Sequence, residues 1–243
     1  MHPAPPIPVT PAQEAERLRA LAPYRHLEAT HNPVFMQLAQ LAARLFAVPL
    51  AQVSLVDAEE VRYPGNVGDL QLPSCLRRAD SICATAVYRP DGGPTVYDNL
   101  HARPCPWLPA ELQQELGFYA GCPLRTRAGQ PIGTLCLLDC VPHPFGPDQQ
   151  AVLQRLAGIT MQLLDLQLLA DPTQAPAIWK ALAGRVELSL QRIDTLVALA
   201  RWEATPDTPS ARAYTESTRQ ERLLIVQDIE YQLALSFKQL GQG

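Results

Sequence analysis

Polar and apolar positions alternate along this chain in several distinct rhythms. Thr10 followed by Pro11 and Gln13 reads as a capping box with proline in the first turn, so a helix starts there, with Leu18 and Leu21 on its apolar face. A second start follows at "NPVF". Asn32 is its cap, Pro33 its first turn, and Phe35, Leu38, Ala42 and Leu45 recur at helical spacing up to Pro49. The period then changes. "AQVSLVD" is almost continuously apolar and predicts a strand covered on both faces. "VRYPGN" predicts a short return strand stopped by Pro-Gly. In "SCLRRADSICATAV", Ser81 caps a short helix running through Val87, which Pro90 and the glycines after it end.

"PTVYDN" predicts a strand and "PAELQQEL" a short helix. "GFYAGCPLRTRAGQPIGTLCLLD" is the clearest element: two apolar strands around the polar turn "RTRAGQ", hence a β-hairpin. A long helix follows, in which Val152, Leu156, Ile159, Leu163 and Leu166 step by four and three, a seam suited to a partner helix. "DPTQAP" breaks the chain. Two more helices carry the stripes Leu182, Val186, Leu190, Ile193, Val197 and Ile225, Ile229, Leu233, Phe237, Leu240, and are placed to lie antiparallel. The expected organisation is a disordered Pro-rich tail over 1–9, a sheet-bearing domain over 10–170, a linker over 171–177 and a helical hairpin over 178–243. There is no internal repeat.

Composition narrows the function. The 243 residues are 47% apolar and 18% charged, with a net charge of -4 and no Lys/Arg run. Nucleic-acid binding needs a basic stripe, which is missing. From Thr173 onward eight basic residues balance eight acidic ones, so the helical part is no phosphate binder either. No stretch reaches the roughly 18 apolar residues of a membrane span. The N-terminus lacks a signal-peptide pattern, and the expected compartment is the cytoplasm. Six cysteines in such a chain are expected as reduced thiols.

Those cysteines are the candidate chemistry. Cys136 and Cys140, four residues apart on a strand, are separated by about 13 Å and cannot clip one metal ion. Cys122 and Cys136 read as small hydrophobes packed in the hairpin. Cys75, Cys83, Cys105 and His101 match no zinc spacing, and neither a metal site nor a cofactor is expected. Asp98 follows a strand, where it caps the turn through its own backbone or accepts a ligand hydrogen bond. Trp107, between prolines, lids a pocket or lies on the surface. Tyr119 and Phe118 face opposite sides of their strand, and Tyr119 carries the polar handle. Arg77 and Arg78 read as a solvated turn.

The segments "LAARLFAVPLAQVSLVD", "DSICATAV", "TVYDN", "GFYAGCPLRTRAGQPIGTLCLLD" and "FGPDQQAVLQRLAG", in this order over roughly residues 15–170, resemble a GAF domain, the small-molecule sensor module placed ahead of bacterial histidine kinases and cyclic-dinucleotide enzymes. The resemblance implies an α+β fold: an antiparallel sheet of five or six strands with helices on both faces, and here a helical hairpin after it. It implies a ligand pocket built from residues around 60–115, with Cys83, Asp98, Trp107 and Tyr119 as ligand-binding candidates. "AEEVRYPGN" departs from the aromatic-rich strand that the family often has there.

The same resemblance offers an enzyme as an alternative. Free methionine-(R)-sulfoxide reductases are GAF-like and carry three cysteines around this pocket, an order that Cys75, Cys83 and Cys105 follow. A thiolate attacks the sulfoxide sulfur and a second thiol resolves the sulfenic acid, with Glu111, Glu115 or Asp139 as proton donor. Against this, Ala84 stands where those enzymes have glycine, and Asp139 is shifted by one residue, which turns it to the other face of its strand. The last histidine is His143, so the C-terminal helices cannot perform His-phosphotransfer, and there is no room for a catalytic output domain. The reading that results is a GAF sensory, signal-transducing protein without catalytic output, which binds a small molecule or a signalling protein partner. It is expected to be a homodimer through 152–166 and the 178–240 helices. A ligand-free dimeric adaptor is the third alternative.

Overall fold

A computed structural model describes residues 10–29, 33–68, 73–89, 91–106, 108–169, 175–203 and 208–239. The tail over 1–9, Asn32, Trp107 and Leu240 lie outside the described residues, as do 170–174, most of the expected linker. The chain divides into two compact units, Met1–Ala43 with Val48–Leu164, and Arg44–Ala47 with Asp165–Gly243.

The first unit opens with helix α1 (Pro11–Ala29). Its start is the capping box: the Thr10 N–H donates to Gln13 Oε1 at 3.0 Å, and the Gln13 N–H donates to Thr10 Oγ1 at 3.2 Å. Helix α2 (Val34–Phe46) buries all four stripe positions, Phe35, Leu38, Ala42 and Leu45. Strand β1 (Leu50–Val56) is buried at every residue, as its unbroken apolar run required. Strand β2 (Glu60–Val67) is longer than the sequence pattern implied, because it does not stop at Pro64-Gly65. The register of β2 on β1 shifts between Val53 and Leu55, and Pro64 falls at that irregularity, where its missing N–H costs no ladder bond. A short strand that the pattern did not predict, β3 (Cys75–Arg77), extends the sheet edge.

Helix α3 (Ile82–Ala86) forms where expected, but Ser81 does not cap it with its side chain. The Ser81 hydroxyl is instead 2.9 Å from the Tyr63 hydroxyl, a tertiary bond that outcompetes the local one. Strand β4 (Thr95–Tyr97), helix α4 (Ala110–Glu115) and the hairpin of β5 (Phe118–Arg125) and β6 (Pro131–Asp139) follow, then helix α5 (Pro147–Leu169). The six strands form one antiparallel sheet in the order β3-β2-β1-β6-β5-β4. This confirms the α+β architecture, with β1 and β6 at the centre of the sheet.

The register assigns the faces. Tyr119 pairs with Leu138 and Gly121 with Cys136, and Gln52 lies opposite Cys136 on β1, so these side chains share one face. Helices α3 and α4 cover it, in one apolar cluster with Leu50, Tyr63, Cys83, Leu112, Leu116, Tyr119 and Leu138. Helix α2 lies on the opposite face. There a Cβ on Gly65 would sit 2.2 Å from the Phe35 carbonyl oxygen, so glycine is what lets the helix approach. Phe118 belongs to that same far face and packs on Phe145 at 5.5 Å between ring centroids.

In the second unit, α6 (Ala175–Trp202) and α7 (Pro209–Gln239) pack on one another. Helix α6 begins inside the expected linker. Leu182, Leu190 and Ile193 are buried, as are Ile225, Ile229, Leu233 and Phe237. The α5 residues Val152, Leu156, Ile159, Leu163 and Leu166 are likewise buried within the single chain. Among the described residues, no helix is long and apolar enough to cross a membrane.

Candidate functional site

A pocket opens on the α3/α4 face of the sheet. Its cavity volume is about 30 Å³, inside a wider mouth open to solvent. β1 contributes Gln52 to its wall, β2 Tyr63, α3 Ile82 and Cys83, α4 Leu112, β5 Tyr119 and β6 Leu138. No acidic, basic or imidazole side chain is among its described lining residues. Such a site favours neutral, mainly apolar molecules with one or two hydrogen-bonding groups.

Its floor is polar in one place. The Tyr119 hydroxyl donates to the Cys83 sulfur at 3.5 Å and lies 3.5 Å from the Cys136 sulfur. The two sulfurs are 3.1 Å apart. Cys136 is also 2.8 Å from Thr134 Oγ1, which is 2.7 Å from Ser54 Oγ. The whole chain of groups is buried. Two thiolates this close cannot coexist, and the pair splits accordingly. Burial works against a Cys83 thiolate, but hydrogen bonds from Cys136, Thr134, Tyr119 and Ser54 outweigh it and hold Cys83 down to about 6. Burial and the Cys83 neighbour push Cys136 well above the ordinary thiol range. Burial likewise raises Tyr119, which stays a protonated donor.

Of the ligand-binding candidates, Cys83 and Tyr119 thus meet at the pocket. Asp98 does not. It is exposed after β4, only its carbonyl is engaged, accepting from the His143 N–H at 3.0 Å, and the neighbouring turn is closed by Asn99 Oδ1 accepting from the Ala102 N–H. Trp107 lies outside the described residues. The three cysteines of the enzyme alternative sit in different surroundings. Cys75 is exposed on β3, where burial and its 3.3 Å bond to Glu60 raise its pKa, the wrong direction for a nucleophile. Cys105 is buried. None of the six cysteines is disulfide-bonded. Glu111 and Glu115 are exposed and do not line the pocket. Asp139 lies on the far face with Phe118, its carboxylate accepting from the Val141 N–H at 3.1 Å and meeting His143 Nε2 at 2.5 Å.

Two features escaped sequence reasoning. Cys136 is buried in the hairpin as expected, yet it is also the sulfur partner of Cys83. Strand parity puts Cys136 on the face of Tyr119, but only the placement of α3 brings Cys83 to it. Arg78 is no solvated turn residue. It donates to Glu14 Oε1 at 2.7 Å and to the Tyr88 hydroxyl, while the Tyr88 hydroxyl donates to Glu14 Oε2 at 2.7 Å. Arg17, almost wholly buried, completes the group by donating to Glu14 and, at 2.6 Å, to the Val56 carbonyl. Arg77 is the exposed one of the pair, bonded to Asp80 at 2.6 Å.

A cyclic di-GMP phosphodiesterase of Pseudomonas aeruginosa is 29% identical over 161 residues, 63% of this chain and 26% of that protein, so the chain spans about a quarter of its relative. Among solved structures, a type II free methionine-R-sulfoxide reductase from Thermoplasma acidophilum has a TM-score of 0.48 at 15% identity, covering 57% of this chain and 94% of that one. The GAF domain of an Acinetobacter phosphoenolpyruvate-protein phosphotransferase has a TM-score of 0.45 at 11% identity, covering 65% and 96%. The GAF domain family model matches residues 31–164, more than half of the chain and all six strands, and the chain therefore belongs to the GAF family.

Proposed function

We propose that this protein is a GAF sensor of signal transduction that binds a small, uncharged, mainly apolar molecule between the sheet and helices α3 and α4. One observation carries the reading: the described wall of the pocket has no carboxylate, ammonium, guanidinium or imidazole, and its hydrogen-bonding groups are Gln52, Tyr63, Cys83 and Tyr119. Free methionine sulfoxide is a zwitterion. Its carboxylate would lose its hydration here without a cationic partner, and would sit beside the Cys83 sulfur, at a cost of several kcal/mol. The sensor reading is favoured over the reductase for that reason.

The protein acts as a homodimer in this reading. Support comes from α7, where Leu224, Tyr231 and Leu235 are exposed and seven and four residues apart, one apolar stripe on the side away from the buried Ile225–Phe237 positions.

The test is a thermal-shift screen of neutral apolar compounds against the full chain, with hits confirmed by calorimetry. Binders saturate at one per chain and are lost in Leu112→Trp, which fills the pocket. Failure of every neutral compound, together with turnover of methionine-R-sulfoxide to methionine, overturns the reading in favour of the enzyme.

A further inference from the structure

Cys83 and Cys136 are 53 residues apart in sequence, on α3 and β6, yet their sulfurs are 3.1 Å apart. A disulfide bond is about 2.05 Å long, so an approach of roughly 1 Å closes it. The two differ in access. Cys83 lines the pocket, whereas Cys136 is fully buried behind it and is not a lining residue. A reagent that enters from solvent therefore meets Cys83 first, with Cys136 in reach of the product. The remaining four thiols are placed otherwise: Cys75 and Cys140 are exposed, Cys105 is buried and not a lining residue of the pocket, and burial pushes Cys122 up to about 12.

We infer that Cys83 and Cys136 are a peroxide-responsive pair, in which a small hydroperoxide admitted by the pocket oxidises Cys83 and Cys136 resolves it as an intrachain disulfide. The Cys83 thiolate attacks one peroxide oxygen, the O–O bond breaks, and sulfenic acid and hydroxide (or alkoxide) result. The Cys136 sulfur then attacks the sulfenic sulfur, the S–S bond forms and water leaves, carrying the Cys136 proton and the hydroxyl. Two electrons pass from the thiols to the peroxide, which is the only co-reactant.

The surroundings suit both halves. Tyr119 donates to Cys83, and its hydroxyl is equally near Cys136, so it can follow the charge as it moves between sulfurs. Closing the bond draws α3 onto β6 at the pocket wall and removes the thiolate from under Tyr119. Oxidation and pocket occupancy are then linked, each altering the other by the same factor. The thiol chemistry does not depend on whether the pocket has a natural ligand.

The experiment treats the reduced, desalted full chain with hydrogen peroxide, blocks remaining thiols under denaturing conditions and maps the peptides by mass spectrometry. A Cys75→Ser, Cys140→Ser background suppresses cross-linking between chains. Expected is a Cys83–Cys136 linked peptide, with loss of two hydrogens per chain, reversed by dithiothreitol. In Cys136→Ser the expected product is a dimedone adduct on Cys83. Full alkylation of both residues after peroxide, or linkage of Cys83 to another cysteine such as Cys105, overturns the inference. Because the linked peptide is sought in chains that keep both residues, a misfolded Cys136→Ser variant leaves the test intact.

Discussion

The Tyr119 hydroxyl occupies the space in front of Gly121, where a Cβ would come within 2.1 Å of it. The ring therefore lies forward along its own strand, over the position two residues on, and reaches the sulfurs of Cys83 and Cys136 from there. Gly121→Ala is expected to push the ring out, costing about 2 kcal/mol as an overpacked core site. In a Tyr119→Leu background the same substitution is expected to cost under about 1 kcal/mol. Chemical denaturation of the four proteins of this cycle checks it, and equal costs in both backgrounds would show that the ring is not the obstacle.

Acid should loosen the N-terminal helix. Burial alone would raise the Glu14 carboxyl, but bonds from Arg17, Arg78 and Tyr88 outweigh it and lower it to about 2. A carboxylate with a depressed folded-state pKa stabilises the fold above about 4.5, and that contribution is lost as pH falls from 4.5 toward 2. Glu14→Gln is expected to flatten this part of the stability profile. It should also cost about 2 kcal/mol at neutral pH, less than a fully buried pair because Glu14 is part exposed. Urea melts from pH 2.5 to 7 measure both effects.

Of the six cysteines, one should ionise early. Cys83 is held down to about 6 and Cys136 is raised. A thiolate absorbance near 240 nm is expected to grow in with a midpoint near 6, and to vanish in Cys83→Ala. The linkage sign follows. The lowered pKa adds stability as pH rises from about 6 toward the ordinary thiol value of 9, and this gain is absent in the variant. An absorbance that starts only above pH 8 would contradict the assignment.

Replacing exposed apolar residues of α7 should change the association state and not the fold. Leu224→Glu with Tyr231→Glu is expected to halve the sedimenting mass, at 57% and 62% exposure too little buried to unfold the helix. A wild-type chain that sediments as a monomer at micromolar concentration would remove the dimer from the proposal.

Much of this fold was readable before any coordinates. Periodicity located helices, the hairpin and the continuously buried β1, because those elements obey local rules of pattern and capping. What local rules cannot weigh are tertiary partners. Pro64 reads as a strand stop until the register shift on β1 accommodates it. Ser81 reads as a cap until Tyr63 claims its hydroxyl. Cys136 reads as packing until α3 brings Cys83 over it, and Arg78 reads as solvated until Glu14, 64 residues away, arrives. At the pocket, Cys83 and Tyr119 were legible from strand parity and segment order. Asp98 was misplaced because a residue just beyond a strand end is free of the strand's two-residue alternation.

The sheet register carries one more consequence. Leu50, the first residue of β1, pairs with Leu138, one before the last of β6. The polypeptide thus enters and leaves the central strands at a single rung, and Leu138 on that rung also lines the pocket. Mechanically the domain is a clasp. A molecule that wedges against Leu138 presses on the incoming and the outgoing chain together, so whatever is joined before residue 50 and after residue 139 receives the displacement as one paired movement.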